Sequence, residues 1–500
     1  MNQGFHSFAL RAVVFSAAAI AGLAAAMPAR ADSLDSALAD VYENNPALNA
    51  GRARLRATDE ELAKAQSGYR PQIGLNADTG LQIQNSAVKP PTSFSPFGTV
   101  ASQVASNAAA FKRYDGETNP GGLNVTVSQS LFDGFQTNNG IHAANANILA
   151  QREALRDIEQ RTLLQAITTY MDVMRDAATV TLRQNNVKFL TGQVKATQER
   201  FAAGAATRTD LAQARAREAD ARASKEAAKA NLRGSLANYQ RLVGHVPARL
   251  TNPAGFERLL PSRIEDAISA AETRNPQVLQ ASFSEKASTY EIRRTLGQML
   301  PQVTFQATHS ERYNPSTVLY QQSIESAVVR VNVPIYQAGD LEARVRQAKQ
   351  QRQGQIQEIV SARELARAQA ISSFAQVQAS RAQVAAVREQ VKAANETVSG
   401  VREEQLAGQR TLLDVLNAEQ ELTAAEVSSA NAHHDLVVAA YSLLATMGRL
   451  TAVDLDLGVK LYDVHKHYAE INGKWGGTVI EHDPNYAPRA QEWAPAVEEK

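Results

Sequence analysis

The side chains that could bind a metal are few and badly placed for it. Asp463, His465 and His467 alternate along the chain, so an extended strand would put all three on one face. Side chains spaced in this way lie about 7 Å apart along a strand and rarely converge on one ion. His433 and His434 are adjacent, and adjacent positions on a helix do not face each other. We therefore expect no metal site.

The motifs of common catalytic sites are also missing. The sequence contains no glycine-rich phosphate loop, no G-x-S-x-G elbow and no H-E-x-x-H motif. The absence of cysteine excludes disulfide scaffolds, thiolate zinc sites, cysteine nucleophiles and a lipid-anchored N-terminal cysteine. With 52 Lys and Arg against 51 Asp and Glu, the net charge of +1 argues against a basic nucleic-acid binder. The sequence predicts no enzyme, no cofactor and no nucleic-acid partner.

The N-terminus has the pattern of an export signal. Arg11 precedes an apolar run over 12–26, and an A-x-A site ends at Ala31. We predict that residues 1–31 are a secretory signal peptide, cleaved between Ala31 and Asp32. The alternative is a signal-anchor helix, but the run is short for a membrane span and small residues follow it.

The rest of the chain contains one structural unit in two copies. Matching residues recur at an offset of 230 in the first part of each copy and of 204 in the second. The pairs include Asn45-Pro46 with Asn275-Pro276, Pro71-Gln72 with Pro301-Gln302, Gly204 with Gly408, and Asp210 with Asp414. The difference, 230 − 204 = 26 residues, is an insertion in the first copy. We expect a first repeat over 32–260, a second over 261–458, and a C-terminal tail over 459–500 that is peripheral or partly disordered.

Long proline-free spans indicate the helices of each repeat. Pro120 to Pro247 and Pro334 to Pro484 enclose no other proline, and both spans are rich in good helix formers. The predicted helices are 34–68, 141–203 and 207–243 in the first repeat, and 262–298, 343–407 and 411–448 in the second. The first long helix would reach about 95 Å and each short terminal helix about 55 Å. Two short helices placed end to end match one long helix, which suggests a helical barrel.

Between the helices, four segments alternate apolar and polar residues. The predicted strands are 71–84 and 121–131, joined by an external loop over 85–119, and then 301–310 and 324–334. Such alternation suits a transmembrane β-strand, although amphipathic strands over a soluble core would give the same pattern. A sheet in lipid must close, and four strands are too few, so several subunits would have to share one barrel. Three copies would supply twelve strands.

These features together resemble the TolC-type outer-membrane efflux proteins, in their non-lipidated branch. The resemblance covers about residues 34–450. It rests on the duplicated unit, on the Pro-Gln pairs where strands begin and on Pro334-Ile335-Tyr336-Gln337-Ala338-Gly339 where one ends. Two further segments are similar to the family's periplasmic helix turns: Gly204-Ala205-Ala206-Thr207-Arg208-Thr209-Asp210-Leu211 and Gly408-Gln409-Arg410-Thr411-Leu412-Leu413-Asp414-Val415-Leu416-Asn417-Ala418.

The resemblance implies a mainly α fold with a small transmembrane β-barrel portion, built from a duplicated helix-strand-strand-helix unit. In this family a homotrimer forms a twelve-stranded β-barrel in the outer membrane of a Gram-negative bacterium, continued by a long periplasmic α-helical barrel. It implies an exit duct of a tripartite efflux or type I secretion system, for drugs, toxic small molecules or secreted proteins. The implied partners are a periplasmic adaptor, an inner-membrane transporter of RND or ABC type, and outer-membrane lipid.

The resemblance also implies a docking role for the two helix-turn tips. Gly204 and Ala205 at the first tip, and Gly408 and Gln409 at the second, lie where adaptor helices dock in the family. Glycine at such a position permits a sharp reversal of the chain and the close approach of a partner backbone. Without the resemblance, each segment would be interpreted only as a turn.

Residues just inside the tips correspond to the family's entrance gate. Arg410 matches an arginine that holds the tunnel entrance shut by bonding to a neighbouring helix, and Thr209 and Asp210 match its partners. Asp414 matches an acidic ring residue at the same constriction. Three copies of Asp414 around a threefold axis would concentrate negative potential and favour cations. Taken alone, these residues would be interpreted as solvated charges at helix ends.

Two residues depart from the family pattern at this entrance. Gln405 stands where the family often has a gating tyrosine, and Asn417 where a second aspartate ring occurs. The entrance should therefore carry fewer charges than is typical of the family.

Two alternative functions stay open at this point. A periplasmic coiled-coil adaptor would share the helical hairpin, but it should have one hairpin and a β-rich body. An exported enzyme would need a convergent polar site, and the sequence indicates none. The transported substrates are also open, because the residues expected to line the duct are generic.

Overall fold

Helices make up most of the chain. The computed structural model describes residues 33–88, 112–317 and 319–478, so the predicted cleavage site at Ala31 and Asp32 lies outside the described residues. The helices are α1 Leu34–Asn44, α2 Pro46–Gln66, α3 Gln136–Ala202, α4 Arg208–Val243, α5 Ile264–Arg274, α6 Pro276–Gly297, α7 Asp340–Leu406, α8 Leu412–Thr446 and α9 Lys466–Ile471. None of these described helices has the length and hydropathy needed to cross a membrane.

The short helix predicted to begin each repeat is divided in two, at Asn45 and at Asn275. Each asparagine has an extended backbone, because the proline that follows disfavours the helical conformation at the residue before it. The asparagine side chain then caps the second helix: Oδ1 of Asn45 accepts the N–H of Ala47, and Oδ1 of Asn275 that of Gln277, both at 2.9 Å. The Asn-Pro pairs therefore mark a helix boundary that the prediction placed inside one helix.

Two long antiparallel hairpins form the helical part. α3 and α7 each contain 67 residues, which corresponds to about 100 Å. α4 packs on the half of α3 nearer the turn, and α8 packs on α7 in the same way. α6 lies against the other half of α3, where His142 stacks on Tyr290 with ring centroids 5.0 Å apart. A helix of the second repeat therefore flanks the long helix of the first.

Within the described residues, six strands form two antiparallel sheets. They are β1 Gln72–Thr79, β2 Gln82–Val88, β3 Lys112–Thr118, β4 Gly121–Phe132, β5 Gln302–Ser316 and β6 Leu319–Asn332. The main sheet has the order β1-β4-β5-β6, and β2 pairs with β3 in a separate sheet.

The strand ends differ from the prediction. The predicted strand 71–84 is interrupted at 80–81, between β1 and β2, and both ends of the predicted loop 85–119 are paired as strands. β5 and β6 continue to Ser316 and from Leu319, in place of the longer loop predicted between them. The physical reason is that each added residue pair satisfies further backbone N–H and C=O groups, so the ladders extend almost to the turns.

The two faces of the main sheet differ in polarity, as the alternation predicts. On one face Ile73 is opposite Val127, which is opposite Ala307 in β5. On the other face Thr126 is opposite Thr308. Ile73 is 73% exposed, and every residue of the edge strands β1 and β6 is exposed in the single chain. The sheet is therefore open at both edges and has an uncovered apolar face.

The main hydrophobic core lies where α1, α2, α3, α4 and α8 meet. Tyr170 and Tyr239 are fully buried there, and the hydroxyl of Tyr170 donates to the carbonyl of Thr251 at 2.7 Å. The described part of the tail, 459–478, packs against this region, and the backbone N–H of Tyr462 donates to the hydroxyl of Tyr42 at 3.1 Å.

Candidate functional site

Two helix turns form the end of the chain that lies opposite the sheet. Each long helix ends at a glycine with positive φ, 74° at Gly204 and 78° at Gly408. The next residues, Ala205 and Gln409, donate their backbone N–H to carbonyls five residues earlier, at 2.8 and 2.9 Å. A Cβ atom added at either glycine would meet no heavy atom within 4 Å. The backbone conformation alone therefore requires glycine, and both tips are open to a partner.

The first residues of α4 and α8 form identical capping boxes. The N–H of Asp210 donates to Oγ1 of Thr207 at 3.1 Å, and the N–H of Thr207 donates to Oδ2 of Asp210 at 2.9 Å. Thr411 and Asp414 repeat this arrangement at 3.3 and 3.0 Å. Hydrogen bonds from the threonines hold the pKa of both aspartates below the ordinary value of 3.8. Two of the predicted gate residues, Asp210 and Asp414, thus also stabilise the turns.

Arg410 is held by its own hairpin. Its Nε donates to Oε2 of Glu404 at 2.8 Å, and both side chains are about half exposed. Within the described part of a single chain, Arg410 has no bond to the predicted partners Thr209 and Asp210. The predicted gate bond is thus not formed inside one subunit.

A contact that no sequence signal indicates joins the two hairpins near their tips. Nη2 of Arg217, in α4, donates to Oδ1 of Asn417 in α8 at 3.2 Å. Nη1 of Arg217 donates to Oε1 of Gln420, one turn further along α8. Asn417 stands in place of the family's second aspartate, and in this structure its side chain accepts a hydrogen bond from Arg217.

An apolar layer lies beside this contact. Leu416 of α8 is 2% exposed and packs with Leu190 of α3 and Ala221 of α4. One turn from Leu190 and two turns from Leu416, Nδ2 of Asn186 donates to Oγ1 of Thr423 at 3.0 Å. The spacing of Leu412 and Leu416 is the one sequence signal of this layer, because residues four apart share a helix face.

A partly buried group of charges joins α3 to α8 farther from the tips. Nε2 of His434 lies 3.1 Å from Oδ1 of Asp172, and Nδ1 lies 2.9 Å from Oδ1 of Asp435. Arg175 pairs with Asp172 and with Asp176, both at 2.9 Å. The bond to Asp172 raises the pKa of His434 above its ordinary value. Burial acts to raise the pKa of Asp172, but the bonds to His434 and Arg175 lower it overall.

The histidines of the tail are separate from the tips. Asp463 and His465 lie before α9 and His467 lies inside it, so the extended strand considered from sequence is not formed. Nδ1 of His467 lies 3.2 Å from Oδ2 of Asp59, which is 1% exposed and whose pKa is raised by burial. Across residues 33–88, 112–317 and 319–478, no group of three or more histidine and carboxylate side chains could hold a metal ion.

Two hairpins carrying a four-stranded sheet also occur in solved outer-membrane channels. The crystal structure of VceC from Vibrio cholerae aligns with a TM-score of 0.66 and 17% sequence identity, over 83% of this chain and 96% of VceC. The fold is therefore that of a TolC-like channel protomer, which confirms the predicted fold class.

Sequence comparison extends this class to a family. Residues 37–245 and 267–449 match the family described as "Outer membrane efflux protein". The outer membrane efflux protein BepC of Brucella suis biovar 1 (strain 1330) is 37% identical over 467 residues, which are 93% of this chain and 95% of BepC. TolC of Escherichia coli (strain K12) is 24% identical over 442 residues, 84% of this chain and 83% of TolC. The chain belongs to the outer membrane efflux protein family.

Membership in this family confirms the predicted function and location. The chain is an exit duct in the outer membrane of a Gram-negative bacterium, and it extends into the periplasm. The family is one of channels and not of enzymes, and the two-hairpin fold favours the duct over the adaptor considered above.

Proposed function

We propose that three copies of this chain close into one channel that carries solutes passively from an inner-membrane transporter to the exterior. The observation that carries the proposal is the pair of open sheet edges, β1 and β6, whose residues are all exposed in the single chain. Pairing β1 of one copy with β6 of the next satisfies these backbone groups and gives a closed sheet of twelve strands. The exposed apolar face around Ile73 and Leu75 then contacts outer-membrane lipid.

The tips are the proposed docking site for a periplasmic adaptor. Gly204, Ala205, Gly408 and Gln409 are all exposed, and the space around both glycines is open. The adaptor would link the tips to an inner-membrane transporter of RND or ABC type. Drugs, toxic small molecules or secreted proteins would then pass through, with the choice of substrate made by the transporter. No catalytic step and no cofactor belong to this proposal.

The proposed gate lies just inside the tips. Arg410 is half exposed and bonded only to an equally exposed Glu404 within its described surroundings, so it is free to turn to an adjacent subunit. In the closed channel it would bond to the partner subunit's Thr209 and Asp210. Exposed charge-assisted bonds of this kind are weak enough to break when an adaptor docks. Asp414 would form the acidic ring at the same constriction.

Single-channel conductance in planar bilayers tests this gate. Arg410→Ser and Asp210→Ala should each raise the conductance of the closed channel, because each removes one partner of the bond. Thr207→Ala is the control for Asp210→Ala, since it breaks the same capping box and keeps the charge. Arg388→Ser, on an exposed part of α7 away from the tip, is the control for Arg410→Ser. Unchanged current in both gate variants would refute the assignment.

A further inference from the structure

We propose that Arg217 is a second lock of the entrance, which fastens the second hairpin to the first inside each subunit. This inference rests on the proposed gate and adds to it a contact that needs no neighbouring subunit. Arg217 lies within the first three turns of α4, and Asn417 and Gln420 lie within the first three turns of α8. The contact therefore spans the two hairpins near the end that must open.

The contact has the shape of a fork. The two terminal nitrogens of Arg217 donate to two different side chains, Nη2 to Asn417 Oδ1 at 3.2 Å and Nη1 to Gln420 Oε1. The two acceptors are three residues apart, so they share one face of α8. A planar guanidinium can serve both acceptors at once, whereas a lysine ammonium is a point charge on a flexible stem. The geometry thus specifies arginine, and it sets the position of α8 along α4.

Both acceptors are neutral amides. When the fork opens, α8 is left with two side chains that water can satisfy, and no buried carboxylate loses its counter-ion. The lock is therefore reversible, as a contact that must break on docking of a partner needs to be.

Other contacts near Arg217 join the same two hairpins, and together with the contact of Arg217 they form a continuous interface that we call the seam. The apolar layer of Leu416, Leu190 and Ala221 lies beside the contact, whose own hydrogen bonds are exposed to solvent. The bond from Asn186 to Thr423 joins α3 to α8 at the next level. Movement of the α8 end away from the first hairpin must separate the apolar layer and both polar contacts together, so the seam opens as a unit.

Conductance of the reconstituted full-length protein measures the lock. Arg217→Ala should raise the conductance of the closed channel at least twofold, and Arg217→Lys should not restore the original value. Arg215→Ala removes the same charge from the same helix, about 200° around its axis, and should leave the conductance unchanged. Adding Asn417→Ala to Arg217→Ala should have no further effect. Equal currents in the Arg217 and Arg215 alanine variants, or additive effects of the pair, would overturn the proposal.

Hydrogen exchange separates failure of this lock from failure of the proposed gate. Amides of residues 412–423 should exchange at least threefold faster in Arg217→Ala than in Arg215→Ala, whether or not the protein conducts. Equal exchange rates would refute the lock in any case. If Arg410→Ser and Asp210→Ala both leave the current unchanged while Arg217→Ala raises both current and exchange, the gate fails and the lock stands.

Discussion

Replacing Gly408 with alanine tests two properties of the second tip: whether its backbone conformation requires glycine, and whether the tip also binds a partner. At φ 78°, an alanine costs about 1–2 kcal/mol, because its Cβ approaches the following carbonyl oxygen. The chain adds no clash to this cost, since the Cβ would have no heavy atom within 4 Å. A destabilisation of this size should make local opening of the turn about 5–30 times more frequent.

Hydrogen exchange at the second tip measures that opening, with Gly400→Ala as the matched control. Gly400 lies inside α7, where its Cβ would also be unhindered, and alanine in a helix interior stabilises by about 0.5–1 kcal/mol. Binding of the cognate adaptor should be weaker for Gly408→Ala than for the control, because in the proposed docking the new Cβ would lie where the partner backbone approaches. Unchanged exchange would refute the reasoning about the backbone, and equal adaptor binding would refute docking at this tip.

Two further predictions concern charge. Asp414→Asn should weaken block of the channel by trivalent cations, because hydrogen bonds hold the pKa of this carboxyl low and keep it ionised. Glu396→Gln on α7 is the control. Equal block in the unmodified protein and in both variants would exclude the acidic ring. The pKa of His434 is raised in the folded protein. Protonated His434 therefore stabilises the fold at pH values below 6.5, the ordinary pKa of histidine, and this stabilisation is lost as the pH rises through the raised pKa. Thermal unfolding should therefore occur at a lower temperature at about pH 9 than at about pH 6. His434→Gln should reduce that difference in unfolding temperature, whereas the control His433→Gln should not. The same pH dependence in both variants would contradict the role of the bond to Asp172.

The sequence predicts the architecture well because the duplication is visible as repeated residues and the helix formers act locally. The two turns are specified by glycine followed by a threonine-aspartate capping box, at Gly204 and again at Gly408. The breaks at Asn45 and Asn275 were also open to prediction, since asparagine caps helices and proline favours their first position. Strand ends were predicted less well, because pairing continues wherever a partner strand is available, whatever the local pattern.

The contacts near the tips were beyond sequence reasoning. Arg217 and Asn417 are 200 residues apart, and their meeting depends on how two long, alanine-rich helical hairpins pack. Such helices present many similar small side chains, so their sequences do not define one relative position. The bond of Arg410 to Glu404 is local, because only six residues and a turn separate the two side chains. It was still not predicted, since the resemblance placed the partners of Arg410 in a neighbouring helix. Family resemblance indicated the region and not the bonding within one chain.

Crosslinking of intact cells, followed by membrane fractionation and electrophoresis with and without heating, tests whether three copies of this chain form one channel in the outer membrane. We expect a trimer in the outer-membrane fraction that dissociates to single chains on heating unless it is crosslinked. A monomer recovered in the soluble fraction, with no crosslinked trimer, would contradict it.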